Sequence, residues 1–435
     1  MSVKIEEIDF YLKKLFPITR SITGNGNRET LKILNEIIDL NIEEYPSGMN
    51  VFDWKIPEEW NIRDAWIKNS SGKKIVDFKI NNLHVLNYSI SVAKNKIQFQ
   101  ELNIHLYYDK EQPESIPYKT SYYKKNWGFC LSYNDYVNLF DVDDEYEIYI
   151  DSDHKIGTLT LADYIIKGPA KKEYLFSTYF CHPSLANDNL SGVVANAFLA
   201  KALTQKKLKN SYRFIFCPET IGSITYLFNK KDEIKNSSAG FIITCVGGKS
   251  NFSYKKSFLG THSIDLAVRS AFLTSGIKFK EYEFIPQGSD ERQYSSPGFR
   301  IPMGSIHRDK YNEYKEYHTS DDNLSFISAQ SIFETITLYL KVIEILENNY
   351  TFISNIMFCE PKLDKYNLYP TIGRTFKSNA ESDKLNELDI ILWLNFYADG
   401  NHSLLDISNK LNINFDILLK LFNDLVEKNV LSIVD

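Results

Sequence analysis

Three runs of large apolar residues constrain the fold of this chain more than any other feature of its sequence. They occupy residues 174–180 (YLFSTYF), 212–217 (YRFIFC) and 240–245 (GFIITC). Stretches with helical spacing of apolar residues lie at 189–203 and 263–276. Uninterrupted apolar strands that alternate with helices indicate a largely buried sheet with helices on both faces. The sequence therefore predicts an α/β domain.

Other parts of the chain have a different texture. The 435 residues are too many for one ordinary core and predict two or three domains. Residues 46–160 carry short β-branched and aromatic runs broken by Pro, Gly, Asn and Asp, which predicts an all-β domain. Residues 351–382 are polar and irregular, and we interpret them as a linker. Residues 383–435 contain three helical patterns and a final apolar strand, an order typical of a winged-helix-like domain.

Composition limits the partners and the location. The formal net charge of −6 supplies no basic field for a polyanion, which argues against nucleic acid. The last helical pattern, residues 414–428, carries two lysines against three acidic residues and favours protein contacts or an oligomer, as does the β domain. No stretch approaches the roughly 18 uncharged apolar residues of a membrane span. Five scattered cysteines without CxxC spacing indicate no disulfide framework, so we expect a reducing, cytoplasmic location.

Side chains able to bind a metal follow the ends of the three apolar runs. His182 and Asp188 come after the first run, Glu219 comes after the second, and Cys245 ends the third. The carboxyl ends of parallel strands form the edge at which open α/β sheets bind ligands. Imidazole, carboxylate and thiolate bind zinc, and a carboxylate can also act as a base. These residues alone leave open that His182 packs in a turn and that the acids only favour helix N-termini.

A later loop, GSDERQYSSPGF, carries candidates for substrate binding. It places Asp290, Glu291 and Arg292 beside Tyr294. A guanidinium forms bidentate pairs with carboxylates, so Arg292 and Tyr294 could hold a substrate carboxylate or carbonyl. On composition alone, a solvated run of charges is the simpler interpretation.

The segment EYHTSDDN supplies one more candidate ligand. His318 precedes a helical pattern and could complete a His/Asp/Glu/His set. Asp321 and Asp322 could cap that helix or orient the imidazole. The chain contains no HExxH, GxSxG or Walker A sequence, so zincin, serine-hydrolase and P-loop interpretations lose their support.

Taken in order, these residues resemble the zinc aminopeptidases of the M28 type. The matching positions are His182, Asp188-Asn189-x-Ser191-Gly192, Glu219, the SDE at 289–291 and His318-Thr319-Ser320-x-Asp322. The segments FPITRSITGNGNRETL, PYKTSYYKKNWGFCLS, CHPSLANDNLSG, PETIGSI and EYHTSDDN are similar to a bacterial family with an aminopeptidase-like domain associated with polysaccharide biosynthesis.

The resemblance implies a phosphorylase/hydrolase-like mixed sheet with helices on both faces. Its aminopeptidase-like α/β domain would comprise residues 1–45 and 161–350, with residues 46–160 as an inserted β domain and a small winged-helix-like domain at the end. It also implies zinc as the cofactor, with His182, Asp188 and His318 as ligands and Glu219 as the base that activates water.

Two departures from the M28 type bear on the metal. A typical two-zinc member has paired acids where this chain has Glu219 followed by Thr220, and an aspartate ligand where this chain has Cys245. Cys245 and Glu219 could serve as substitute ligands for two zinc ions. We prefer one zinc ion held by the two histidines and Asp188, because a catalytic zinc commonly has three protein ligands. A degenerate site that binds without catalysing is the third possibility.

The expected function is a zinc-dependent hydrolase of an amide or peptide bond. Its substrate would be small, either peptide-like or an aminoacyl or N-acyl compound, in a surface-polysaccharide pathway. One alternative is a catalytically degenerate binding or assembly protein on the same fold. Another is single-zinc acyl transfer or cyclisation.

Overall fold

The computed structural model describes residues 3–368 and 385–434 of the chain. Its helices are α1 (Ile5–Leu15), α2 (Asn25–Leu34), α3 (Phe99–Asn103), α4 (Tyr133–Leu139), α5 (Gly192–Leu203), α6 (Ile221–Asn229), α7 (Lys231–Ile234), α8 (Ser263–Ser275), α9 (Glu291–Tyr294), α10 (Ala329–Glu347), α11 (Glu387–Phe396), α12 (Leu404–Leu411) and α13 (Phe415–Glu427).

Its strands are β1 (Asn41–Pro46), β2 (Asn50–Val51), β3 (Trp54–Lys55), β4 (Glu59–Lys68), β5 (Lys74–Asp77), β6 (Val92–Gln98), β7 (Leu106–Tyr107), β8 (Phe129–Cys130), β9 (Glu145–Lys155), β10 (Thr158–Ile166), β11 (Glu173–Tyr179), β12 (Ser211–Cys217), β13 (Ala239–Ile242), β14 (Phe252–Lys255), β15 (Lys280–Tyr282), β16 (Met303–Arg308), β17 (Thr351–Ser354), β18 (Asp399–Ser403) and β19 (Leu431–Ile433). The chain divides into two compact units, residues 1–259 with 280–337, and residues 260–279 with 338–435.

An eight-stranded mixed sheet forms the centre of the first unit. Its strand order is β1-β10-β12-β11-β13-β16-β14-β15. The strands β12, β11, β13 and β16 run parallel to one another. The strand β10 pairs antiparallel with β12, and β14 pairs antiparallel with β16. The three apolar runs of the sequence form β11, β12 and β13, which are buried along almost their whole length. The predicted α/β domain is therefore confirmed.

Helices cover both faces of this sheet. Leu175 and Ile215 pack with Ile221 of α6 in one core cluster. Because successive strand residues point to opposite faces, the buried Phe176 and Phe214 face the other way. The helix α5, which is buried along almost its entire length, contacts β11 and β12.

The residues between β1 and β10 form a β-rich module inserted into a strand hairpin. The strands β1 and β10 pair directly, with Pro46 opposite Thr158. The main sheet of the module has the order β5-β4-β9-β6, and its own core includes Ile67 and Ile148. An alternation of buried and partly exposed residues along β9 fits a sheet with one face on that core.

The second unit contains a three-stranded antiparallel sheet and several helices. The strand order is β18-β17-β19, and α12 and α13 contact each other and α8. The strand β17 lies inside residues 351–382, which the sequence indicated as a linker. Four residues are too few for a periodic pattern to distinguish a strand from its polar surroundings. None of the helices in the described part of the chain has the length and apolar character needed to cross a bilayer.

Candidate functional site

The candidate site lies at the carboxyl edge of three neighbouring parallel strands. β12, β11 and β13 are adjacent in the sheet and end on the same side. The segments that follow them carry Cys181 and His182, then Glu219, then Cys245. The pairing of the apolar runs thus brings polar residues that are far apart in sequence to one edge of the sheet. Asp188 and His318 reach the same edge because they lie in neighbouring loops.

Two imidazoles and one carboxylate converge there. The donor atoms of His182, Asp188 and His318 lie within 4.8 Å of one another. Oδ2 of Asp188 is 2.9 Å from Nε2 of His318 and 3.4 Å from Nδ1 of His182. Oε2 of Glu219 lies 3.6 Å from Nε2 of His182. Cys181, His182 and Glu219 form a second group of potential ligands that shares His182 with the first.

Solvent reaches this cluster from one side. The Asp188 side chain is 0% exposed and that of His182 is 6% exposed, whereas Glu219 and His318 are 26% and 35% exposed. Burial by itself would raise the pKa of Asp188, but His182 and His318 outweigh it and hold the pKa of that carboxyl well below its usual range. The site therefore combines a buried carboxylate with a solvent-accessible glutamate and histidine.

Cys245 lies at the edge of the cluster. Its thiol donates to Oδ1 of Asp188 at 3.9 Å and accepts a hydrogen bond from the Thr244 hydroxyl at 3.4 Å. In the described part of the chain Cys245 belongs to neither group of potential ligands. Burial raises the pKa of its thiol well above the ordinary value. Cys181, which sequence reasoning missed although it directly precedes His182, is the thiol closer to the imidazole and Glu219.

Asp322 holds the backbone that carries Asp188. Its Oδ1 accepts the N–H of Asn187 at 2.6 Å, and its Oδ2 accepts the N–H of Asp188 at 2.9 Å. The Tyr314 hydroxyl donates to the same carboxylate at 3.0 Å. Burial raises the pKa of Asp322 to about 7. The sequence suggested that Asp322 caps a helix or orients the histidine, but its carboxylate instead orients the Asp188 main chain.

The loop residues Asp290 and Arg292 lie near Glu219. Oδ1 of Asp290 accepts the N–H of Thr220 at 2.9 Å, and the guanidinium of Arg292 is 3.5 Å from the Thr220 hydroxyl. Burial, together with the negative charge of Glu219, raises the pKa of Asp290 to about 8. Asp290 is 1% exposed and Arg292 is partly exposed, so Arg292 is the member of this pair that solvent or a ligand can reach.

The other two candidates of that loop are buried among partners outside the metal-ligand groups. Oε1 of Glu291 lies 3.6 Å from Nζ of Lys255 and accepts from the Tyr311 hydroxyl at 3.3 Å, in a buried polar cluster. Tyr294 is 0% exposed, and its hydroxyl donates to Ser177 at 2.9 Å. These four residues lie on or beside the short helix α9, whose turn sends consecutive side chains in different directions. The structure therefore does not present Glu291 and Tyr294 as substrate contacts.

Two residues remote in sequence fix the loops that carry the histidines. The backbone N–H of Tyr118, from the inserted module, donates to the carbonyl of His318 at 2.7 Å. The Tyr118 ring centroid is 5.1 Å from that of His182 and 5.2 Å from that of His318. Arg20 is buried, and it donates to the carbonyl oxygens of His182 at 2.9 Å and Leu15 at 2.7 Å. The segments PYKTSYY and FPITRSITG contained both residues, but no pattern within them indicated these contacts.

Comparisons with known proteins identify the family and the fold of the chain. The family model of the domain of unknown function DUF4910 matches residues 10–349, and a model of winged helix-turn-helix domains matches residues 351–433. A Clostridium acetobutylicum protein, described as a candidate polysaccharide biosynthesis protein with an aminopeptidase-like domain, is 45% identical over 409 residues. The match covers 94% of this chain and 92% of that protein.

Solved structures show the same fold. The crystal structure of a candidate peptidase from Clostridium acetobutylicum has a TM-score of 0.90 at 42% identity and covers 99% of this chain and 96% of that chain. BSAP, a zinc aminopeptidase from Bacillus subtilis, has a TM-score of 0.57 at 14% identity, with 78% of this chain and 94% of that chain covered. At 14% identity, the similarity to BSAP shows a shared fold alone. The mixed sheet is thus aminopeptidase-like, and the C-terminal region matches a separate winged-helix domain.

Proposed function

This chain belongs to the DUF4910 family, and we propose that it is a zinc-dependent hydrolase that cleaves an amide or peptide bond in a small substrate. The fold supports a hydrolase of the aminopeptidase type. The description of the Clostridium relative supports a substrate from polysaccharide biosynthesis, in which an aminoacyl or N-acyl amino sugar would carry the bond that is cleaved.

The convergence of His182, Asp188 and His318 carries this proposal. Two imidazole nitrogens and one carboxylate are a donor set that zinc accepts, and three protein ligands leave a coordination position for water or substrate. The buried, ionised Asp188 supplies negative charge, and the exposed side of the cluster gives a substrate access. A bound zinc ion would supply a Lewis acid that polarises the substrate carbonyl and lowers the pKa of a water molecule.

Glu219 is the proposed base. Its carboxylate follows β12, lies beside His182 and is exposed enough for a water molecule to reach Oε2. That oxygen would take a proton from the attacking water and return it to the nitrogen of the leaving amine. Arg292, held near Thr220 on the same side, would pair with a carboxylate of the substrate.

Replacement of the proposed base tests the assignment. Glu219→Gln removes the basic oxygen but keeps the shape, so turnover should fall by about 100-fold or more. Because Glu219 is not one of the three proposed ligands, the variant should keep the zinc content of the parent. Glu101→Gln is the matched control, since Glu101 is exposed on the inserted module and pairs with Lys94.

Substrates would be aminoacyl and N-acyl amino-sugar compounds, assayed with zinc-loaded and chelated protein. Turnover that disappears on chelation, returns with zinc and is lost in Glu219→Gln supports the proposal. Glu219→Gln protein that turns over as fast as Glu101→Gln protein would overturn the role of Glu219. Substrate binding without turnover under any metal condition would favour the binding-protein alternative.

A further inference from the structure

The two oxygens of Asp188 have different surroundings. Oδ2 faces the imidazoles of His318 and His182, at 2.9 and 3.4 Å. Oδ1 instead accepts a hydrogen bond from the Tyr179 hydroxyl at 2.5 Å. A carboxylate that bridges two cations usually gives one oxygen to each of them. In this site Oδ2 faces the two imidazoles, whereas Oδ1 accepts hydrogen bonds from the Tyr179 hydroxyl and, at 3.9 Å, from the Cys245 thiol.

Tyr179 is fixed in its position. It is the last residue of β11, is 2% exposed and belongs to the core cluster beneath the site. Its hydroxyl also pairs with that of Thr244 at 2.7 Å. Moving the ring away would require opening a packed core. The Tyr179 hydroxyl therefore stays beside Oδ1, because the buried ring cannot rotate away as an exposed side chain could.

The residues around Oδ1 offer a second cation little. Besides Tyr179, the thiol of Cys245 donates to Oδ1 at 3.9 Å, and this thiol accepts a hydrogen bond from the Thr244 hydroxyl at 3.4 Å. In the described part of the chain, both groups of His, Cys, Asp and Glu side chains that could hold a metal contain His182, and Cys245 falls outside them. The donors of this site thus gather on one side of Asp188.

We propose that the site holds a single divalent cation on the Oδ2 side of Asp188, and that Tyr179 closes the Oδ1 side to a second one. This inference rests on the proposed zinc site. Tyr179 acts through Asp188 as a positioning residue, because it holds the carboxylate in the orientation that points Oδ2 at the two histidines. A hydrogen-bond partner of a metal-bound carboxylate typically contributes 10–100-fold to metal affinity.

Titration of the metal-free full chain tests the stoichiometry without any substrate. Zinc is added in a calorimeter, and cobalt(II) is added in parallel while its visible absorption is recorded. Both curves should break at one equivalent per chain. A break at two equivalents would overturn the inference and leave the zinc site standing. No binding of either metal would overturn the zinc site itself, so the two failures are distinguishable.

Tyr179→Phe tests the role of the hydroxyl. The variant should bind zinc about 10–100-fold more weakly than the parent. Tyr294→Phe is the matched control, because Tyr294 is buried in the same core cluster and its hydroxyl bonds to Ser177 of the same strand. Its zinc affinity should stay within about twofold of the parent.

Thermal unfolding of the metal-free variants separates positioning from general destabilisation. If both variants unfold at similar temperatures and only Tyr179→Phe loses affinity, the hydroxyl acts on the metal site. Equal zinc affinity in the two variants would overturn the role assigned to Tyr179. Should Tyr179→Phe not fold, the one-equivalent break of the parent chain still decides the stoichiometry.

Discussion

Removal of the Asp322 carboxylate should weaken the fold and the metal site together. In Asp322→Ala the backbone N–H groups of Asn187 and Asp188 lose their acceptor, at bonds of 2.6 and 2.9 Å. Both residues are 0% exposed, so water does not replace the carboxylate. An unpaired buried polar group costs about 1–3 kcal/mol, so two of them lower the free energy of unfolding by about 2–6 kcal/mol. Asp322→Asn keeps one acceptor oxygen and should cost about half as much.

The neighbouring Asp321 provides the control. Its side chain is exposed and accepts a hydrogen bond from the Ser115 hydroxyl at 2.5 Å. Asp321→Ala should therefore cost about 1 kcal/mol or less. Urea denaturation of the metal-free proteins, followed by tryptophan fluorescence, measures each free energy of unfolding. Zinc affinity should also fall in Asp322→Ala, because the segment that carries Asp188 loses its support. Equal destabilisation by Asp321→Ala and Asp322→Ala would refute this reasoning.

Three further perturbations have defined outcomes. Burial raises the pKa of Asp290 to about 8, whereas this carboxyl in the unfolded chain loses its proton near pH 3.8. The free energy of unfolding should therefore fall as pH rises between these two values, and it should fall less in Asp290→Asn. Denaturation at pH 5 and at pH 7.5 measures this difference. The Arg28 guanidinium lowers the pKa of Glu59 from 4.5 to about 2. Glu59→Gln should therefore lower the free energy of unfolding by about 1 kcal/mol above pH 4.5, and this difference from the parent should vanish toward pH 2. Tyr118→Ala should cost about 3 kcal/mol or more and weaken zinc binding, whereas Tyr118→Phe, which keeps the ring beside His318, should bind zinc like the parent in the same titration. A difference in the free energy of unfolding between parent and variant that does not change with pH would contradict the environment assigned to Asp290 or to Glu59. Equal zinc affinity in the two Tyr118 variants would contradict the role of the Tyr118 ring.

The sheet is the most predictable part of the fold, because its central strands are unbroken apolar runs. Parallel strands that end at one edge also predict that His182 and Glu219 lie near each other. The strand β17 is hidden in the sequence, since a four-residue strand among polar residues has no periodicity to detect. No local pattern reveals the hairpin that accepts the inserted module, because the pairing of β1 with β10 joins segments more than a hundred residues apart, and only the family resemblance implied the insertion.

The finer arrangement of the site depends on side-chain directions that a sequence pattern does not reveal. Cys245 follows β13, as Asp188 and Glu219 follow their strands, yet its thiol contacts Thr244 and Oδ1 of Asp188 and stays out of the ligand groups. In the sequence, Tyr179 resembles the other aromatic residues of the apolar strands. Its proposed role depends on the hydrogen bond from its hydroxyl to Oδ1 of Asp188, which a sequence pattern does not reveal. Tyr118 reaches the histidines only because the inserted module folds back over them.

Anomalous diffraction at the zinc edge tests the central claim most directly. Crystals of the full chain grown with zinc should show one anomalous peak, located between the donor atoms of His182, Asp188 and His318, and the peak should disappear when data are collected below the edge. The absence of a peak at this position in zinc-grown crystals, or a second peak on the Oδ1 side of Asp188, would contradict the assignment of a single-zinc hydrolase.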